Sequence, residues 1–235
     1  MPSSSASKPA NAPGRASRPR DAATLVLYRR IDGELTVLMG QRSASMDFMP
    51  DAYVFPGGAV DRADGYAPSA NELNPRVAGY LEKAASAHRA RALGLAAIRE
   101  TFEETGLVLG ERWSARPTRV PPSWRAFCDT GYLPALAQLD YLYRAITPPL
   151  RTKRFNARFL IADGEQLAGD IQGSGELLFV DWIPIARALS LNLPNITKVV
   201  LENVESELSD PDAFRARTET RLFHTVRGKR VEEYE

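Results

Sequence analysis

The most constraining feature of this chain is residues 84–105, a stretch dominated by Ala, Leu, Arg and Glu that predicts one long helix stopped by Gly106. At about 100° per residue, Glu104 lies roughly 40° and Glu103 about 300° from Glu100, while Leu95, Ile98 and Phe102 fall between roughly 160° and 220°. Three carboxylates share one face and the apolar residues take the opposite one. Like charges at this spacing repel by a few tenths of a kcal/mol per pair, and these sit in the last turns, where the helix dipole disfavours negative charge. For stability alone the arrangement is poor. A hard divalent cation reverses the balance, because convergent carboxylates supply oxygen ligands and leave positions for water and phosphate oxygens. The plain alternative is a solvated acidic face.

Elements on either side of this helix are β-prone. Residues 24–28 and 35–39 predict two strands joined through Asp32 and Gly33, a pair suited to a tight hairpin turn. Residues 53–55 are a short third run, stopped by Pro56, Gly57 and Gly58; proline fixes φ, and the glycines permit a backbone path that can approach a ligand closely. A return strand is expected at 107–109, further strands at 154–161 and 176–182, and shorter helices at 124–130, 184–189 and about 196–208. No internal repeat or linker separates a second core. The expected organisation is a tail over residues 1–20 and a single α/β domain over 21–235.

Composition narrows the partners. The tail is dense in Ser, Ala and Pro with basic but no acidic residues, and reads as disordered; Pro2, Pro9, Pro13 and Pro19 break the amphipathic helix that an organellar signal needs. No apolar run approaches the roughly 18 to 20 residues required to cross a bilayer, and residues 1–20 lack a secretory apolar core, so the expected address is the cytoplasm. A formal net charge of +1 gives no argument for nucleic acid or membrane as a partner, and leaves a homodimer open. The single cysteine, Cys128, excludes an intramolecular disulfide and reads as a small apolar side chain rather than a nucleophile. His88 and His224 read as helix-surface and tail residues.

Arg99, Glu100, Glu103, Glu104, Gly106 and Leu107 stand in the register of the second half of the Nudix signature, and Phe55, Pro56, Gly57 and Gly58 resemble its lead-in. Thr101 takes a position usually aliphatic. Asp64 follows Gly58 at the interval of the signature's first Glu, but 34 residues then separate it from Arg99, so an insertion, about 65–90, splits the box. Counting back from Arg99 places Arg91 at that acidic position instead; the accessory role is either filled by Asp64 or lost. The resemblance implies a mixed sheet sandwiched between helices, with the insertion helical.

The split box, together with residues 38–43 leading to Phe55-Pro56-Gly57-Gly58 and the segment 147–159, is similar to the coenzyme A and acyl-CoA diphosphatase branch. Asp47 and Asp51 depart from it, standing where Arg and Gly are expected. What the resemblance implies is hydrolysis of a diphosphate bridge with Mg²⁺ or Mn²⁺, giving 3′,5′-ADP and (acyl-)phosphopantetheine from CoA substrates. Glu100 and Glu104 are the expected metal ligands, with Glu103 a third ligand or the base that orients water. Arg99 holds the carboxylates in place. Arg42, Arg154 and Arg158 are expected to contact the small-molecule nucleotide or else to form surface salt bridges; Phe55 and Tyr53 flank a base or belong to the core; Gly57 and Gly58 admit the substrate. Glu176 is a candidate further ligand, and the insertion a candidate lid over the acyl arm. The rival substrates are ADP-ribose and dinucleotides, and the rival classes are a nucleotide-binding module without turnover and an acidic helix of purely structural role.

Overall fold

The structure, a computed structural model, describes residues 17–45, 49–149, 151 and 153–235; most of the expected tail and Asp47 lie outside the described residues. The strands are β1 (Arg20–Ile31), β2 (Glu34–Arg42), β3 (Tyr53–Val54), β4 (Gly57–Ala59), β5 (Gly110–Arg112), β6 (Tyr132–Pro134), β7 (Asp140–Ile146), β8 (Phe155–Asp163), β9 (Leu177–Pro184), β10 (Arg221–Val226) and β11 (Lys229–Tyr234). The α-helices are α1 (Pro75–Glu82), α2 (Ala87–Thr105), α3 (Arg125–Asp129), α4 (Ile185–Ala188), α5 (Asn195–Ser209) and α6 (Pro211–Ala216).

The main sheet runs β11-β10-β7-β8-β1-β2-β3, with β9 on the other edge of β2 and β4 beside β1. It is mixed: β1 lies parallel to β8 and antiparallel to β2 and β4. Leu25, Val26 and Leu27 are all fully buried on β1, as expected of a strand covered on both faces. One apolar cluster joins the sheet to α1 and α2; a second, on the opposite face, joins it to α4, α5 and α6. Each such buried aliphatic side chain contributes about 1.5–3 kcal/mol. This is the expected α/β architecture with helices on both faces.

The β1–β2 turn follows from its sequence: Asp32 and Gly33 both adopt positive φ, 51° and 85°, the type I′ pattern. Arg227 and Gly228 repeat it between β10 and β11, at 48° and 78°. That hairpin, which places His224 in a strand rather than a tail, and β7 are elements the sequence reading missed. The first strand begins at Arg20, the last residue assigned to the tail.

Helix α2 begins three residues later than expected because Ser86 caps it, its side chain accepting from the Arg89 amide. Gly106 ends it in the left-handed conformation at φ 76°, and a Cβ there would lie 2.8 Å from the Asp170 carbonyl oxygen. The plain alternative of a solvated acidic face does not hold: from Ala90 to Thr105 α2 is buried over most of its circumference, with Glu103 exposed. Glu104 is only 6% exposed and Thr101 is fully buried, its hydroxyl donating to the Ala97 carbonyl at 2.8 Å. The return strand expected at 107–109 is reduced to a single bridge between Val108 and Ala168, with β5 starting at Gly110.

The insertion carries α1, capped by Asn74 and started by Pro75. Val77, Tyr80 and Leu81 bury themselves in the cluster that holds α2, and Tyr80 stacks on Tyr141 of β7 at 5.8 Å. Among the described residues, no helix is long and apolar enough to cross a membrane.

Candidate active site

Antiparallel pairing on one edge of β1 passes from β2, at Tyr28–Ile31, to β4, at Ala22–Thr24. The Pro56-Gly57-Gly58 segment is thereby drawn back onto β1, where a Cβ at Gly57 would come within 2.6 Å of the Ala23 carbonyl oxygen. A Cβ at Gly58 would lie 2.4 Å from the Glu100 carboxylate. The two glycines thus bring backbone directly against the last turns of α2.

Arg99 organises those turns. Its Nε donates to Asp64 Oδ1 at 2.8 Å, Nη2 donates to Asp64 Oδ2 at 3.1 Å and to the Ala59 carbonyl at 3.2 Å, and Nη1 reaches Glu100 Oε1 and Glu103 Oε2, both at 2.9 Å. Burial opposes its charge, but the Asp64 hydrogen bonds and the neighbouring carboxylates prevail and hold it firmly protonated. Asp64 is fully buried and also accepts from the Trp124 indole at 3.1 Å and the Asp61 amide at 2.7 Å. It is thereby committed to positioning Arg99. Arg91 lies elsewhere, paired with Glu72 at 2.9 Å.

Glu100 and Glu104 open into a cavity of about 530 Å³, which Gly57, Gly58, Arg42 and Glu176 also line. Glu104 Oε2 accepts from the Gly57 amide at 2.9 Å. Its carboxyl is nevertheless pushed up to about 8, first by burial and then by the charges of Glu100 and Glu176, against the pull of Gly57 and Arg42. Glu100 is also raised, by burial and by the carboxylates of Glu103 and Asp64, despite its pair with Arg99. Half-buried Glu100 and buried Glu104 are carboxyls whose ionised forms burial disfavours first, and their oxygen donors suit a hard divalent ion. Among the described residues, no group of three or more such side chains stands ready to hold a metal ion. The residues fit a cation in chemistry and in shared cavity, as an open site completed by water or substrate.

Glu103 does not line this cavity. Its side chain is 44% exposed, held by Arg99, and faces a separate hollow. This corrects the expectation that all three helical carboxylates converge.

The other expected contacts divide. Phe55 is 4% exposed and does both things foreseen for it, packing in the core and walling the cavity. Tyr53 packs only against the core. Arg158 is corrected: it is 1% exposed and paired with Asp21 Oδ1 at 2.8 Å and the Asn156 carbonyl at 2.7 Å, away from the cavity. Arg154 is corrected as well, its guanidinium donating to the carbonyls of Thr147 and Ser17. The cations that line the cavity in their place are Arg20, Arg151, Lys153 and Arg230. Phe155, Phe159 and Phe223 give it aromatic walls. Sequence reasoning fastened on Arg154 while the side chains on either side of it in the loop face the cavity; Arg230 lies on a strand that was not foreseen. No residue of the insertion lines the cavity, so the lid expectation is corrected too.

A mixed sheet between two helical layers, with a glycine-rich turn closing on an Arg-Glu helix, defines the Nudix fold. The chain is similar to a NUDIX hydrolase from Alicyclobacillus acidocaldarius, with 27% identity, a TM-score of 0.61, and coverage of 83% of this chain and 97% of that one. By this structural likeness the chain has the Nudix fold. Looser likenesses are to the NUDIX domain of Shewanella oneidensis NrtR complexed with ADP ribose, at 16% identity, TM-score 0.49 and coverage of 82% and 90%, and to a C. elegans Ap4A hydrolase binary complex, at 17%, 0.44, 81% and 98%. Both are too distant to inform the site. No protein-family model matches the chain.

Proposed function

We propose that this chain is a metal-dependent hydrolase that cleaves the diphosphate bridge of a nucleoside diphosphate derivative, with coenzyme A or an acyl-CoA as substrate. The observation that carries this is the shared cavity of Glu100, Glu104 and Glu176, lined also by Gly57 and Gly58 and by cationic and aromatic side chains.

Glu100 and Glu104 would hold Mg²⁺ or Mn²⁺, with Glu176 on the same cavity lining. Bound there, the cation polarises phosphoryl oxygens and supports attack by water. Arg99, locked by Asp64, fixes the rotamers of Glu100 and Glu103. Glu103 shares Arg99 Nη1 with Glu100 but faces the separate hollow, so the base role expected for it falls outside the metal cavity. Arg42 brings positive charge to the same end of the cavity. Water adds to one phosphorus, the bridging P–O bond breaks, the bridging oxygen leaves with its electron pair on the other phosphate, and a proton passes to solvent.

Arg20, Arg151, Lys153 and Arg230 on the same lining suit a substrate with a further phosphate, as on the ribose of CoA. The test is a panel of CoA, octanoyl-CoA, ADP-ribose, NADH and a diadenosine polyphosphate with Mg²⁺ and with Mn²⁺, products read by mass. Release of 3′,5′-ADP in preference to the other products is the expected result. Preference for ADP-ribose or a dinucleotide removes the CoA assignment, and no turnover of any substrate favours a binding module.

A further inference from the structure

A second hollow, of about 660 Å³, lies beside the C-terminal turn of α2. Phe102, Val108, Ala126 and Ala168 make its walls apolar, and Arg112 and Tyr132 stand together on its lining, the guanidinium over the ring at 5.0 Å. Its one acidic wall residue is Glu103, while the next residue, Glu104, is on the wall of the first cavity. The segment 172–176 is divided in the same way: Gln172 and Gly173 line the second hollow and Glu176 the first. That segment is tied to the helix end, the Gln172 amide donating to the Thr105 carbonyl at 2.7 Å. The ridge between the two hollows is therefore built from the carboxylate turn of α2 and the strand lead-in that carries Glu176.

We infer that the second hollow receives the non-nucleotide half of the substrate, a flexible amphipathic arm of low charge, while the nucleotide half lies in the cationic cavity and the diphosphate crosses the ridge. The inference rests on the proposed diphosphatase function. The two halves of such a substrate differ in chemistry, and so do the two hollows. The first gathers four cations and three phenylalanines besides Arg42 and Phe55; the second has one cation, Arg112, and two rings, Tyr132, whose face that cation covers, and Phe102, which packs edge-on against Phe127. A second nucleobase would meet one ring already covered by a guanidinium and another packed edge-on against Phe127. An alkyl-amide chain would find apolar walls and one group of each charge at its edges.

Ala126 is exposed on α3, so Ala126→Trp narrows the hollow without replacing a core residue or a carboxylate. The first readout is calorimetric binding of octanoyl-pantetheine to the metal-free protein; the second is the KM of octanoyl-CoA against that of ADP-ribose, whose second half is a single ribose. Ala126→Trp is expected to weaken fragment binding and raise the octanoyl-CoA KM by about tenfold, with kcat held and ADP-ribose shifted less than about twofold. Ala126→Asp, with its melting temperature checked, should act in the same direction by placing a charge among the apolar walls. Equal fragment binding by wild type and both variants, or a KM shift shared by ADP-ribose, overturns the assignment. If the wild type hydrolyses none of these substrates, the diphosphatase function falls, and the fragment titration decides the hollow separately: binding lost on filling upholds it, binding absent or indifferent overturns it.

Discussion

Asp64 holds Arg99 through two hydrogen bonds, from Nε at 2.8 Å and from Nη2 at 3.1 Å, although 34 residues lie between them and neither is accessible to any useful extent. An acidic residue at the start of a long insertion thus returns to the helix that follows it. The fully buried Trp124 donates to the same carboxylate from a segment beyond the helix.

Replacing Asp64 with Ala leaves Arg99 buried without its main counter-charge and frees the guanidinium that orders Glu100. The expected cost is about 3 kcal/mol of unfolding free energy, read by urea denaturation. Activity should fall with it, and stability unchanged within error would refute the role.

Glu104→Gln and Glu100→Gln should each lower turnover by more than about a hundredfold while the protein stays folded. Removing a buried carboxyl that is pushed up to about 8 should leave the cation-free protein at least as stable as wild type. The rise in melting temperature that Mn²⁺ gives to the wild type should be lost in both variants; wild-type turnover in either would dismiss these two as ligands.

Gly57→Ala and Gly58→Ala should separate stability from activity. A Cβ at Gly57 meets fixed backbone on β1, 2.6 Å from the Ala23 oxygen, so the fold itself must shift. At Gly58 the collision is with the end of the Glu100 side chain, which can swing away. Thermal unfolding should drop chiefly for Gly57→Ala and kcat chiefly for Gly58→Ala.

Asp21 makes an acid-sensitive clasp. Burial raises its pKa, but hydrogen bonds and attraction from Arg89 and Arg158 outweigh this, and the net value lies below the ordinary aspartate range. The unfolded chain therefore binds the proton at higher pH than the folded one, so this stabilisation is present above the unfolded pKa and is lost as pH falls through the lowered folded value. Melting temperatures between pH 2 and 6 should fall less steeply in Asp21→Asn than in wild type. At neutral pH the variant should be less stable by about 2–4 kcal/mol, because Arg158 is buried beside it.

Leu81 and Val77 anchor the insertion in the core. Leu81→Ala should cost about 2–5 kcal/mol, while the ratio of activities on octanoyl-CoA and ADP-ribose stays constant. A changed ratio at preserved stability would restore a substrate-gating role to this segment.

The sequence by itself determined the local elements and the chemistry they carry. Asp32-Gly33 dictated the first turn, Gly106 ended α2, and the spacing of Arg99, Glu100 and Glu104 put an arginine and two acids in adjacent turns, because these depend on backbone preference and helical period. It could not tell a charged residue facing a cavity from one facing a partner. Arg154 and Arg158 are basic residues close in sequence to Arg151 and Lys153, and only the neighbours brought in by the fold, Asp21 beneath Arg158 and carbonyls around Arg154, decide which of them face the cavity. The same holds for Glu103 and Glu104: consecutive in sequence, they open into different hollows because the packing of α2 against β4 and the 172–176 segment draws one inward and leaves the other at the edge. The β10–β11 hairpin stayed hidden because its strands are polar and half-exposed, held by pairing to β7 rather than by an apolar alternation. Burial and pairing are properties of contacts between distant segments, and those exist only once the chain is folded.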